Sequence, residues 1–165
     1  MVFVGEQPGD QEDLQGHPFI GPAGKLLDRC LADAGLDRGQ IYVTNAVKHF
    51  KWEPMGKRRL HKKPGAREIA ACKPWLDAEL FVLRPRLVVA LGATAAQTLM
   101  GPDFRVTRDR GHFFPVEWAD RFMATVHPSA LLRAHAADRE EQIGLFVADL
   151  RKVSDHLHAS SQTKP

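Results

Sequence analysis

Apolar residues along the chain fall into two alternating kinds of run. Short continuous stretches, Val2-Phe3-Val4, Ile41-Tyr42-Val43-Thr44, Leu87-Val88-Val89-Ala90-Leu91 and Phe122-Met123-Ala124-Thr125-Val126, read as buried strands. The third is nearly continuous from Arg86 and closes on Gly92, which suits an interior parallel strand. Between these runs apolar positions recur at three and four. That spacing predicts a helix over 22–36, through Leu26, Leu27, Cys30, Leu31 and Ala34, stopped by Gly35. It predicts a second over 66–83, through Ile69, Ala70, Cys72, Leu76, Leu80 and Leu83, and a short third over 93–100. A fourth starts near Ser129 and a last covers about 138–156. Residues 46–64 show no sustained period and read as a long loop, while 106–116 read as a hairpin or edge strand around Asp109-Arg110-Gly111. The alternation of β and α predicts one three-layer α/β/α domain over 1–158, with a central, mostly parallel four-stranded sheet. A polar tail over 159–165 is expected to be frayed.

One stretch fits neither pattern. Between the first strand and the first long helix lie five glycines, three prolines and four carboxylates, from Gly5-Glu6-Gln7-Pro8-Gly9-Asp10 to Gly21-Pro22-Ala23-Gly24. Glycine permits close backbone approach and positive φ, and proline stiffens the loop. In an open α/β sheet this is where ligands bind, outside the carboxyl end of a strand. Three strand ends carry polar residues to that edge: Glu6 and Gln7, Asn45, and His127. Asn45 is either a two-sided hydrogen-bonding fork for a base edge or a turn cap. His127 precedes Pro128 and Ser129, and Ser129 suits a helix cap. Phe19 reads as a stacking platform or as a loop aromatic tucked into the core, and Glu6 as a reacting carboxylate or a cap for backbone amides.

Composition adds three restrictions. With 165 residues, 44% of them apolar and 26% charged, the chain is sized for a single soluble domain. No run approaches the roughly 20 apolar residues of a membrane span and no signal peptide is visible, so a cytoplasmic monomer is expected. The net charge of +3 and pI near 9.0 favour a polyanionic partner. Placement sharpens this, because Lys48, Lys51, Lys57, Arg58, Arg59, Lys62, Lys63 and Arg67 crowd one span, whereas the first loop is acidic. His61 lies inside that basic run. The two cysteines form no disulfide framework.

The motifs together resemble a known family. Gly5-Glu6-Gln7-Pro8-Gly9 followed by Gly16-His17-Pro18-Phe19-Ile20-Gly21-Pro22-Ala23-Gly24, then Thr44-Asn45-Ala46-Val47-Lys48, Leu87 to Ala95, and His127-Pro128-Ser129 are similar to the iron–sulfur uracil-DNA glycosylases of family 4. The match runs over nearly the whole chain in the right order. Gln7 after Glu6, and the insertion Lys57-Arg58-Arg59-Leu60-His61-Lys62-Lys63-Pro64, resemble the UdgX subgroup, whose members become covalently attached to DNA through a loop histidine. The resemblance implies that uracil-containing DNA, preferably single-stranded, is the partner. Phe19 would then stack on the base, Asn45 would pair with its polar edge, and Gln7 and Asp10 would contact it. His127 would stabilise the leaving uracil, Glu6 the sugar cation, and His61 would attack the sugar. Lys57, Arg58, Arg59, Lys62 and Lys63 would hold the DNA backbone, and Ser129 a phosphate.

The same resemblance implies a 4Fe-4S cluster, with His49 and Cys72 at the positions of its two later ligands. The family's Cys-x-x-Cys pair is absent from this sequence, and the chain as given is expected to lack a stoichiometric cluster. Two other functions stay open at this stage: an ordinary hydrolytic uracil-DNA glycosylase, in which His61 only touches phosphate, and a non-catalytic uracil-DNA binder.

Overall fold

The computed structural model of the chain describes residues 1–161. Its centre is a five-stranded sheet in the order β2-β1-β5-β7-β6. Here β1 is Val2–Gly5, β2 Tyr42–Asn45, β5 Leu87–Leu91, β6 Phe113–Phe114 and β7 Arg121–Thr125. The first four run parallel, with Gly5 opposite Asn45 and Leu91 opposite Thr125, and β6 lies antiparallel on β7. The expected count of four strands is therefore corrected to five. The added strand is the edge strand expected within 106–116, only two residues long, while Val106–Asp109 form a helical turn in place of a hairpin arm.

Alternate strand residues point to opposite faces, and both faces are covered. Phe3, Val43, Val89, Leu91 and Met123 pack with α2 (Pro22–Asp33), α6 (Pro128–Arg133) and α7 (Ala136–Ser161). Val2, Val4, Val88, Ala90 and Phe122 pack with α3 (Ala66–Leu83), α4 (Ala93–Met100) and α5 (Val106–Asp109). This is the three-layer α/β/α arrangement. The crossover from β1 to β2 uses α2 on one face, and that from β2 to β5 uses α3 on the other. The strand order thus reverses direction beside β1, and the carboxyl ends of β1 and β5 flank a switch point.

Two elements escape the hydrophobic pattern. Residues Asp10–Gln15 form a one-and-a-half-turn helix, α1, which buries none of its residues and so leaves no apolar period to read. The expected long loop contains an antiparallel hairpin, β3 (Trp52–Met55) and β4 (Arg58–His61), with Trp52 opposite His61. Almost all its side chains are exposed, so neither face imposes an apolar alternation. Helix α2 stops at Asp33, with Gly35 at φ 72° just beyond it. Helix α7 continues through 159–161, part of the expected tail, and residues 162–165 lie outside the described residues.

Phe122 occupies the centre of one half of the core. It is fully buried and meets the rings of Phe104 and Trp118 edge-on, each at 5.7 Å between centroids. Phe122→Ala is expected to cost about 3–5 kcal/mol by opening a cavity that strand and helix cannot close. Urea denaturation with an unchanged m value checks this, and a loss below about 1 kcal/mol refutes it.

Candidate active site

The carboxyl edge of the sheet opens into a cavity of roughly 830 Å³. Glu6, Phe19, Asn45, His61, Thr94 and His127 all line it, so residues from separate stretches meet in one place. The size suits a small organic ligand such as a nucleobase with its sugar.

Two glycines make the approach possible. A Cβ at Gly5 would stand 2.4 Å from Asn45 Oδ1 and 2.7 Å from Phe19 Cζ. Gly92, at φ 91°, ends β5 and lets the His127 side chain pass; a Cβ there would stand 3.0 Å from His127 Cβ. Phe19 itself has φ 58°, rare for a residue with a side chain, and its buried ring lies 5.7 Å from the His127 ring. It is both a core aromatic and part of the cavity wall.

Asn45 is buried at the end of β2, and its Oδ1 has no hydrogen-bond partner among the described residues. An orphaned buried acceptor costs about 1–3 kcal/mol and is relieved by any donor that enters beside it. His127 is held differently. Its Nδ1 accepts the Ser129 amide at 3.1 Å and lies 2.8 Å from Ser129 Oγ. The proton of the neutral ring therefore sits on Nε2. Burial lowers the His127 pKa to about 4, with the charges of Arg133 and His61 adding to the effect. The ring is neutral at physiological pH, with one donor available.

Glu6 joins the two sides of the cavity. Its Oε2 accepts a hydrogen bond from the Thr94 hydroxyl, and its Oε1 lies 3.6 Å from His61 Nε2. That second separation is too long for a hydrogen bond and places a carboxylate and an imidazole beside one space. His61 is half-exposed at the end of β4, with its ring 5.9 Å from Phe50.

The hairpin carrying His61 is clasped to the first loop. Gln7 Nε2 donates to the Lys62 and Lys51 carbonyls at 3.0 and 3.3 Å, and Gln7 Oε1 accepts the Lys51 amide at 3.2 Å. Arg59 donates to Asp10 Oδ1 at 2.5 Å and Asp13 Oδ2 at 2.6 Å. Its guanidinium also lies over the Phe50 and Trp52 rings. Asp10, read from the sequence as a base contact, and Arg59, read as a DNA-backbone contact, are thus joined to each other, and Gln7, also read as a base contact, bonds the hairpin backbone; Gln7 and Asp10 both line the cavity. Lys62 pairs with Glu53 at 3.0 Å, Lys63 lines the cavity, and Lys57 and Arg58 are exposed. The sequence reading missed Thr94. The available signal was its position just after Leu91-Gly92, at the fourth strand end on this edge.

Comparisons with known proteins place the chain in a family. The model of the family described as Uracil DNA glycosylase superfamily matches residues 1–151. The chain belongs to the uracil-DNA glycosylase superfamily. It is 40% identical over 160 residues to the Type-4 uracil-DNA glycosylase of Thermotoga maritima, covering 95% of this chain and 77% of that protein. It is 37% identical over 162 residues to the Type-4 uracil-DNA glycosylase of Archaeoglobus fulgidus, covering 94% of this chain and 75% of that protein. A crystal structure of Pedobacter heparinus SMUG2 shares the fold, with TM-score 0.62 and 11% identity over 93% of this chain and 75% of that one.

Among uracil-DNA glycosylases the resemblance assigns His49 and Cys72 to an iron–sulfur cluster, and the fold brings them together. His49 Nδ1 lies 3.6 Å from Cys72 Sγ, which also accepts the Lys48 amide at 3.4 Å. Two donors do not supply a cluster's four ligands. Among the described residues no group of three or more His, Cys, Asp or Glu is placed to hold a metal ion. These residues by themselves do not fit the cluster. No helix among the described residues is long and apolar enough to cross a membrane.

The low pKa of His127 has a stability consequence. The unfolded histidine takes up its proton near 6.5 and the folded one only near 4, so stability is complete above pH 6.5 and is lost as pH falls through about 4. The loss is expected to reach about 3 kcal/mol. Denaturant titrations from pH 7 to 4 should show that excess loss in wild type over His127→Asn. Equal pH slopes in the two proteins would contradict it.

Proposed function

We propose that this chain excises uracil from DNA and is then captured on the abasic sugar through His61, as in the UdgX-type subgroup. The observation that supports this most strongly is the placing of His61 Nε2 3.6 Å from Glu6 Oε1, in the same cavity as the orphaned Asn45 acceptor.

The glycosidic bond of a stacked nucleotide is inaccessible, so uracil enters the cavity from a single strand or by flipping. Phe19 stacks against the base, and Asn45 Oδ1 accepts the N3–H of uracil. Cytosine has a lone pair at that nitrogen and leaves the acceptor unpaired. His127 Nε2–H donates to a uracil carbonyl whose negative charge grows as the bond breaks, which stabilises the transition state more than the ground state. The bond between uracil N1 and C1′ breaks and its electron pair leaves with the uracil anion. Glu6 stabilises the cationic sugar. The Nε2 lone pair of neutral His61 then forms a bond to C1′, and the imidazolium releases its Nδ1 proton to solvent. Water is the competing nucleophile, and the product protein is spent after one event.

Lys57, Arg58 and Lys63 lie along the hairpin and meet the DNA backbone, with Ser129 beside His127 as a further phosphate contact. Arg59 and Gln7 serve the same end indirectly, by fixing the hairpin over the cavity. An ordinary hydrolytic glycosylase is the second reading, favoured by the Type-4 names of the relatives.

A denaturing gel separates the two. Wild-type protein mixed with single-stranded uracil-DNA is expected to give a slow-migrating adduct, and His61→Ser to lose it while leaving abasic DNA with turnover. Abasic DNA without adduct from the wild type refutes capture, and an adduct from His61→Ser removes His61 as the nucleophile. Asn45→Ala is expected to slow excision about 100-fold while changing overall DNA affinity less than about threefold. Parallel losses in rate and affinity would make Asn45 a structural residue.

A further inference from the structure

Glu6 can act on the sugar only if its carboxylate is held toward the reacting carbon, and its own loop gives little hold. It sits just past β1, followed by Gln7-Pro8-Gly9, with its side chain about a quarter exposed. A glutamate in that setting has three rotatable bonds and several competing partners, including the cationic hairpin. The fold answers this from the far side of the switch point. Thr94 lies in the first turn of α4, directly after β5 and the Gly92 turn. Its hydroxyl donates to Glu6 Oε2 across 88 positions of sequence.

We infer that Thr94 is a positioning residue: its hydroxyl occupies one oxygen of Glu6 so that the other faces His61 and the sugar. Three observations carry this beyond packing. Thr94 is buried at 6% exposure, so its hydroxyl must have a protein partner. In the first turn of α4 no preceding helical turn offers Thr94 a carbonyl, unlike Thr98, whose hydroxyl donates to the Thr94 carbonyl at 2.8 Å. Thr94 instead reaches across the sheet edge. The two Glu6 oxygens are then divided, one toward Thr94 and one toward His61. A carboxylate fixed at one oxygen offers a defined charge to a developing cation, without reorganising as the bond breaks.

The same division governs what happens afterwards. With Oε1 beside His61 Nε2, the imidazole is the group held nearest the charge that Glu6 stabilises. Releasing Oε2 lets the carboxylate rotate, admitting water and weakening that preference. Thr94 therefore contributes to both base release and the choice between histidine and water. This inference rests on the function proposed above.

Valine keeps the shape of threonine and removes the hydroxyl, and serine restores it. Wild type, Thr94→Val and Thr94→Ser are compared in single turnover on a uracil-containing single strand, with released uracil, cross-linked DNA and free abasic DNA read separately. Thr94→Val is expected to slow release about tenfold and to move product from cross-linked to free abasic DNA at unchanged DNA affinity. Thr94→Ser is expected to recover both. Wild-type release and partition in Thr94→Val overturn the inference, as does a defect that Thr94→Ser fails to rescue. NMR side-chain couplings of Glu6 in the free proteins read the anchoring without catalysis. A single rotamer is expected in wild type and Thr94→Ser, and averaged couplings in Thr94→Val; equal couplings in all three overturn it. Failure of the underlying function looks different. A wild type that releases uracil without cross-linking refutes capture, and the release rates then decide on Thr94. A wild type that releases none refutes excision, and the couplings decide.

Discussion

A guanidinium held between two carboxylates fastens the hairpin of His61 to the rest of the protein. The hairpin that carries His61 is exposed on nearly every residue, and an isolated two-stranded hairpin is at best marginally stable in water. It acquires a fixed place because Arg59 reaches Asp10 and Asp13, and because Gln7 donates to the Lys51 and Lys62 carbonyls at the hairpin's outer ends and accepts the Lys51 amide. Exposed ion pairs are screened and weak taken singly. Here the pairing with two carboxylates, the two aromatic rings beside the guanidinium and the clasping amide act on one short element together. The acidic first loop and the basic insertion are thus two halves of one joint.

The sheet supplies the opposite half of the site by a different means. Its strands are buried on both faces, and the cavity opens at the strand ends. At the carboxyl edge β1 and β5 part company, because their crossovers run on opposite faces, and Glu6 and Thr94 stand on either side of the gap. Closeness there depends on what is missing. Gly5 has no Cβ to collide with Asn45 and Phe19, and Gly92 adopts a positive φ that lets His127 lie against it.

Electrostatics differ across the cavity. His127 is buried, its Nδ1 is occupied by Ser129, and its low pKa keeps it a neutral donor. His61 is half-exposed beside Glu6. Two histidines in one cavity are therefore held differently: His127 has only its Nε2–H free to donate, and His61 stands beside a carboxylate. Burial and neighbours make that difference, since the residue type is the same.

Much of this was legible in the chain alone. Helices 66–83 and 93–100 match α3 and α4, and the parallel strands follow the short apolar runs, because burial on one face or both writes a period into the sequence. Glu6, Asn45 and His127 were legible as polar ends of apolar strands, for the same reason. The hairpin carrying His61 and α1 were not, and the fifth strand only as one alternative, a hairpin or edge strand within 106–116. The hairpin and α1 bury almost nothing, and β6 has only two residues, so hydrophobicity could not record them. Sequence alone also gave Gln7, Asp10 and Arg59 separate tasks, because a charge pair 49 positions apart has no local signature. Thr94 is the plainest case. A threonine in the first turn of a helix is unremarkable as sequence, and only the strand order that sets β5 beside β1 brings its hydroxyl to Glu6.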